Sequence, residues 1–355
     1  MTIKKARVAY FDHWVHPVAG DRLADSERID TIRITIAGPT DRIAAALACA
    51  HGMQALIRTD ATNSGSGERW LAHRDLIAGC PELLAICSAG AGYDVIDVEA
   101  CTQSGVIVCN QSGTGQEAVA EHVLGFMIAL SKKIGLADRV IRRTSDWLRS
   151  DFTGNDLLGK TLGIVGYGQI GSRLAALCAP FDMTVLITDP YVSEEDATAR
   201  GGRKVPLDTL LAQSDFVSLN GPLTKQTRGM IGEREFAAMK PGAFFITTAR
   251  GGIHDEAALV DALASGHLGG AGVDVFLDEP PQPNHPLFAF DNVLATPHSA
   301  GITEETTRDI AVATAEQWET IFAGQVPPRL LNPEAWPRYR ERFAETFGFS
   351  PPQLN

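Results

Sequence analysis

Three short polar runs in the second half of the chain each follow an apolar segment, and each carries a residue type that does chemistry. Arg250-Gly251-Gly252 follows Phe244-Phe245-Ile246-Thr247-Thr248-Ala249, and Asp278-Glu279-Pro280-Pro281 follows Val273-Asp274-Val275-Phe276-Leu277. Pro297-His298-Ser299-Ala300-Gly301 follows Val293-Leu294-Ala295-Thr296. In an open α/β sheet, ligands gather outside the carboxyl ends of the strands. The three runs would then bring an Arg, a Glu and a His to one ligand. A guanidinium matches a carboxylate with two parallel N–H bonds. An imidazole gives and takes a proton near neutral pH, and a carboxylate beside it favours the protonated ring and fixes its orientation. Taken singly, each residue has an ordinary structural reading, as a solvated charge, a turn residue or a packed ring.

A fourth run supplies the ligand. Gly166-Tyr167-Gly168-Gln169-Ile170-Gly171 follows the apolar stretch Leu162-Gly163-Ile164-Val165 and opens the helical pattern Ser172-Arg173-Leu174-Ala175-Ala176-Leu177. Gly166 allows a tight turn, Gly168 lets a pyrophosphate approach the backbone, and Gly171 lets helix and strand pack closely. The free N–H groups and dipole at the helix start favour phosphates. A further strand ends at Asp189, eighteen residues past Gly171. That carboxylate would accept bonds from a ribose diol and repel a 2′-phosphate, which favours NAD over NADP.

These residues need a sheet to hold them in place. Short β-rich runs alternate with helical patterns along almost the whole chain, as a parallel sheet covered on both faces requires. The first part offers strands at 7–10, 54–58, 83–88 and 105–109, with a helix at 40–49 and a loop at 63–67. A second series has strands at 162–165, 184–188, 216–219, 243–247, 272–275 and 293–296. Between the two series, Val119, Val123, Phe126, Met127, Leu130 and Ile134 recur at three- and four-residue spacing. This predicts one helix from about 116 to 141, connecting domains or meeting another subunit. A helix resumes over 303–322, and the last thirty residues, rich in Pro and Arg, show no regular pattern.

Composition narrows the function. The chain has 355 residues, enough for about two domains. With 31 Lys+Arg against 43 Asp+Glu its formal charge is −12, a field that repels nucleic acid and anionic membranes. The six cysteines have no C-x-x-C pair and no metal-ligand spacing, so they read as buried reduced thiols and no metal is expected. The start of the chain lacks a signal-peptide apolar region, and a cytoplasmic enzyme is expected.

Taken together and in this order, the runs at 163–171, 247–259, 270–276 and 296–301 resemble the NAD-dependent D-isomer-specific 2-hydroxyacid dehydrogenases, which include D-3-phosphoglycerate, glyoxylate/hydroxypyruvate and D-lactate dehydrogenases. The resemblance covers nearly the whole chain. It implies two doubly wound parallel-sheet α/β domains. A flavodoxin-like substrate domain would comprise residues 1–112 and 302–355, with a Rossmann NAD-binding domain, residues 113–301, inserted between them and forming a homodimer. It implies that Arg250 binds substrate, Glu279 orients a histidine, and His298 is the acid/base.

Cofactor contacts implied in the same way fall on Gly166, Gly168, Gln169, Ile170, Gly171 and Asp189. Further ones are Asn220, Pro222, Thr227, Thr248, Ala249, Arg250 and His298, with Ala300 and Gly301. Asp274 resembles the acid that holds the nicotinamide carboxamide. Ala89, Gly90, Ala91 and Gly92 resemble the loop whose amides cradle a substrate carboxylate. Arg58 would reach a phosphate or a second carboxylate. The expected substrate is a 2-hydroxy or 2-oxo acid. Thr247 and Asn220 depart from the family, where many members have Asn and His. Relatives of this fold also include corepressors that bind NAD(H) and act through protein contacts, which is the second reading. Glu279 argues against formate dehydrogenases, which have Gln there, and Ala91 against phosphite dehydrogenases, which have Lys.

Overall fold

In the computed structural model, which describes residues 4–56 and 67–354, the chain divides into two compact units. One comprises Met1–Gly115 with Thr303–Asn355, the other Gln116–Ile302.

The first unit holds five strands: β1 (Ala6–Phe11), β2 (Ile29–Ile34), β3 (Gly52–Gln54), β4 (Ala85–Cys87) and β5 (Ile107–Cys109). They pair in the order β2-β1-β3-β4-β5, all parallel, which is the flavodoxin-like arrangement. Period-two alternation gives each strand two core faces. Ala85, Cys87, Ile107 and Cys109 meet Trp318, Trp336, Tyr339 and Phe343 from helices near the chain end, while Ile86 and Val108 face Ile43, Leu47 and Ile77. Trp318 sits directly on Gly52, where a Cβ would lie 2.6 Å from the indole ring.

The end of the chain is more regular than its composition suggested. Trp336–Phe347 is a helix, with Trp336, Tyr339 and Phe343 buried at three- and four-residue spacing and Arg338 exposed. Pro337 falls at the helix start, where a missing N–H costs nothing.

The second unit holds β6 (Thr161–Val165), β7 (Thr184–Thr188), β8 (Arg203–Lys204), β9 (Phe216–Leu219), β10 (Phe244–Thr247), β11 (Gly270–Val273) and β12 (Val293–Ala295). Their order, β12-β11-β10-β9-β6-β7-β8, reverses direction between β6 and β9, as in a doubly wound dinucleotide-binding sheet. The register is what matters for function. Thr188, Val165, Leu219, Thr247, Val273 and Ala295 pair in one row across six strands. The next residue of each strand, Asp189, Gly166, Asn220, Thr248, Asp274 and Thr296, therefore lies along one edge.

The long helix expected over 116–141 is two. Gln116–Ser131 is one, Lys133 beyond it takes a left-handed conformation (φ +55°), and Ile134–Arg143 is the other. The Ser131 carbonyl accepts from the Asn155 N–H at 2.8 Å, a tertiary bond that replaces the next intrahelical one. The apolar stripe is this unit's own core. Val123, Phe126, Met127 and Leu130 cluster with Leu162, Ile164 and Ile246, and Phe126 packs on the face of β11 left open by Gly272. Exposed apolar side chains lie farther on, at Ile134, Ile141, Trp147, Leu148 and Leu158.

All six cysteines are free. Burial raises the Cys80 thiol to about 11 and the Cys101 and Cys178 thiols to about 12, so these stay protonated and inert. Among the described residues, no helix is long and apolar enough to cross a membrane.

Candidate active site

The glycine turn after β6 has the geometry its spacing implies. Gly166 has φ +92°, in the region that favours glycine. A Cβ on Gly171 would stand 2.5 Å from the Gly166 carbonyl oxygen, so the helix Gln169–Cys178 can approach the strand only through a glycine. Gly168 caps that helix, is exposed, and would place a Cβ in open space. It guards room for something outside the fold. Gln169 is exposed beside it and Ile170 half-buried.

Asp189 follows β7 and accepts the Tyr167 and Tyr191 N–H groups, one on each carboxylate oxygen, both at 2.8 Å. Each oxygen keeps a lone pair for a further donor such as a ribose hydroxyl. Asn220 donates to Ser218 Oγ at 2.9 Å, while its Oδ1 is buried without a partner. Thr247 Oγ1 is likewise buried and unpartnered. Unsatisfied buried acceptors of this kind suit a bound polar group, so the edge fits a dinucleotide. Thr248 and Ala249 are buried just beyond β10. Thr227 is spent within its own turn, donating to the Pro222 carbonyl at 2.6 Å and accepting from the Thr224 N–H.

Arg250, Glu279 and His298 come together at the same edge. His298 Nδ1 lies 2.8 Å from Glu279 Oε2, and the other carboxylate oxygen accepts the Phe276 N–H at 3.0 Å. A carboxylate only accepts, so Nδ1 carries the proton and Nε2 is the nitrogen left to exchange one. Burial alone would push the Glu279 carboxyl up. Hydrogen bonding and charge from His298, the Phe276 N–H and the positive charge of Arg250 outweigh it and hold the group below the usual carboxylate range. The Arg250 guanidinium also donates to the Ala249 carbonyl at 2.7 Å.

Two features of this trio had no signal in residue spacing. The first is Gly251, where a Cβ would fall 1.8 Å from the Phe276 carbonyl oxygen. The absent side chain lets the Arg250 turn and the segment leading to Glu279 touch backbone to backbone. The second is Glu256, which accepts the Leu277 N–H at 2.6 Å and pairs with His285 Nε2 at 3.3 Å, tying down the same segment.

His298 itself has φ +54°, a left-handed conformation that costs a non-glycine residue about 1–2 kcal/mol. Asp274 holds it there. The Asp274 carbonyl accepts the His298 N–H at 2.7 Å, and its carboxylate accepts the Ser299 and Ala300 N–H groups at 2.8 and 3.0 Å. Asp274 is 1% exposed. Its first task in this fold is thus to build the turn, and Gly301 follows against Val119.

In the other unit, residues 89–92 follow β4. The Gly90 carbonyl accepts from Ser88 Oγ and the Gln111 N–H, and the Ala91 carbonyl from Asn110 Nδ2 at 2.8 Å. None of the four amides donates to an acceptor among the described residues. Arg58 lies outside the described residues.

Comparison with known proteins points to one family. Residues 124–300 match the family model "D-isomer specific 2-hydroxyacid dehydrogenase, NAD binding domain". The chain is 42% identical over 250 residues to a D-3-phosphoglycerate dehydrogenase of Archaeoglobus fulgidus, covering 70% of this chain and 47% of that protein. It is 40% identical over 266 residues to a glyoxylate reductase of Aeropyrum pernix, covering 73% and 79%. The chain spans about half the length of the phosphoglycerate dehydrogenases that it matches. A crystal structure of D-lactate dehydrogenase from Aquifex aeolicus, complexed with NAD and lactic acid, superposes with a TM-score of 0.77 at 28% identity, covering 89% of this chain and 96% of that one.

Proposed function

The chain belongs to the D-isomer specific 2-hydroxyacid dehydrogenases and carries their NAD-binding domain, and from that premise we propose that it interconverts a 2-oxo acid and a D-2-hydroxy acid with NAD(H). The observation that carries the proposal is the His298–Glu279 pair, 2.8 Å apart at the carboxyl edge of the second sheet. When bound, the nicotinamide supplies the hydride for reduction and receives it in oxidation. Gly166, Gly168 and Gly171 with the start of the following helix would hold its pyrophosphate, and Asp189 its ribose.

The chain's own residues handle charge and protons. Reduction of a 2-oxo acid builds negative charge on the carbonyl oxygen. Protonated His298 donates to that oxygen through Nε2, and the neutral ring takes the proton back in oxidation. Glu279, ionised and anchored by the Phe276 N–H, accepts the Nδ1 proton of His298 and fixes the plane of the ring. Arg250 pairs with the substrate carboxylate and meets the developing oxyanion. The amides of residues 89–92 are further donors of the kind a carboxylate takes.

The tests are direct. Purified protein should oxidise NADH with at least one member of a panel of glyoxylate, hydroxypyruvate, phosphohydroxypyruvate, pyruvate and bulkier 2-oxo acids. His298→Ala should lower kcat for reduction by roughly 10²–10⁴ while NADH binding stays near wild type. No turnover with any member, or a His298→Ala variant as fast as wild type, would end this assignment.

A further inference from the structure

We infer that His122 is a positioning residue for the proton-transferring turn, acting on His298 through Thr296 and Asp274; the inference rests on the role proposed for His298. His122 lies on the helix Gln116–Ser131, its ring edge-on to Phe126 with centroids 4.6 Å apart. Its Nε2 stands 3.1 Å from Thr296 Oγ1, which in turn stands 2.5 Å from Asp274 Oδ1. The direction of these bonds follows from counting protons. A carboxylate only accepts and a threonine hydroxyl has one hydrogen. Thr296 therefore donates to Asp274, and its oxygen accepts the Nε2–H of His122. Burial disfavours charge on the His122 ring and Asp274 favours it; burial prevails and lowers the pKa, in keeping with a neutral ring protonated at Nε2.

From Asp274 the chain of bonds reaches the reacting histidine. Oδ1 accepts both the Thr296 hydroxyl and the Ser299 N–H, Oδ2 accepts the Ala300 N–H, and the carbonyl accepts the His298 N–H. These bonds hold the left-handed conformation at His298 against its tendency to relax. Removing the His122 donor leaves the half-buried Thr296 oxygen with an unfilled lone pair and frees the hydroxyl to rotate off Asp274. The carboxylate then loses the bond that fixes its plane under Ser299 and Ala300. The imidazole would keep Glu279 and the His298 N–H its carbonyl partners, but the turn would lose the fixed carboxylate that holds Ser299 and Ala300 just beyond it. Among the described residues His122 makes no hydrogen bond to the trio or to the glycine turn, so its effect should fall on kcat rather than on substrate binding.

The experiment is a double-mutant cycle on steady-state reduction, with thermal unfolding measured for every variant. His122→Phe keeps a ring against Phe126 and removes the donor. It should lower kcat about fivefold to tenfold with KM for the 2-oxo acid unchanged, the size expected for one lost hydrogen bond. His122→Gln, whose amide nitrogen can reach the same point, should restore most of the loss. The double variant with Thr296→Val should be no slower than Thr296→Val alone, because the histidine acts only through the threonine. An undiminished kcat in His122→Phe, a Gln variant as slow as Phe, or losses that multiply in the double variant would overturn the proposal.

Should His122→Phe fail to fold, ¹⁵N spectra of the wild-type ring decide the matter. A proton on Nε2 that shifts on Thr296→Val supports the link, and one on Nδ1 refutes it. These spectra need no turnover. An inactive wild type with the Nε2–H tautomer present would therefore refute the reading of the reaction and not the hydrogen-bond chain.

Discussion

Gly251→Ala isolates the contact that lets Arg250 and Glu279 share one site. A Cβ there would sit 1.8 Å from the Phe276 carbonyl oxygen, 2.3 Å from its carbon and 2.7 Å from the Leu277 nitrogen. Real Cβ contacts stay beyond 3.0 Å, so the two backbones must part by at least 1.2 Å. No flexible side chain is there to give way. Phe276 donates its N–H to Glu279, so the carboxylate travels with it. If His298 stays in its turn, the 2.8 Å bond to Glu279 opens to about 4 Å, beyond hydrogen-bonding range. A misplacement of about 1 Å costs on the order of 10²-fold in rate, and overpacking costs about 1–3 kcal/mol of stability.

The assay is kcat for reduction alongside thermal unfolding. The control is Gly168→Ala, where a Cβ meets nothing within 4 Å. Gly251→Ala should be slow and less stable. Gly168→Ala should unfold like wild type and lose NADH affinity, because its methyl fills the space kept for the pyrophosphate. If Gly251→Ala turns over within threefold of wild type at an unchanged Tm, the backbone contact does not set the geometry of the trio, and that reasoning fails.

Glu279→Gln removes a carboxyl held below its usual range and therefore ionised across the working pH. His298 Nδ1 then faces a neutral amide in place of a charge, so kcat for reduction should fall about tenfold with NADH binding unchanged; an undiminished kcat would remove Glu279 from that role. Asp189→Ala should weaken NADH about fivefold, the loss of about one hydrogen bond, and relax discrimination against NADPH; fluorescence titration of both cofactors checks this, and a wild type that prefers NADPH contradicts the ribose assignment. Ile134, Ile141, Trp147, Leu148 and Leu158 are 40–69% exposed, more apolar surface than a solvated segment needs, so light scattering at micromolar concentration should give a homodimer that Leu148→Asp weakens. A monomeric wild type would discard that interface.

Much of this protein is legible in its sequence because the determinants are local. A parallel strand is a short apolar run, and a phosphate turn is three glycines at fixed offsets. The polar residues that follow strands mark the carboxyl edge of a sheet, so Gly166, Asp189, Arg250, Glu279 and His298 could be named from runs of a few residues. Helix phase was legible too, although not its meaning. Phe126 and Leu130 lie on one stripe in the sequence, yet only packing decides whether that stripe meets another subunit or, as here, β11 and the core beneath it. The end of the long helix could not be read for the same reason, since the group that halts it is the Asn155 amide, twenty-four residues from Ser131.

The finer parts of the site lie beyond sequence because they are contacts between residues far apart in the chain. The register that sets Asp189, Gly166, Asn220, Thr248, Asp274 and Thr296 side by side comes from hydrogen bonds between strands. Gly251 is a glycine because Phe276 needs the space, and Asp274 is spent on Ser299 and Ala300 because the turn folds back over it. His122 joins Thr296 across 174 residues. Sequence determined which groups could do the chemistry. Tertiary structure decided which of them hold the others still, because a hydrogen bond forms only where packing has already brought donor and acceptor within about 3 Å.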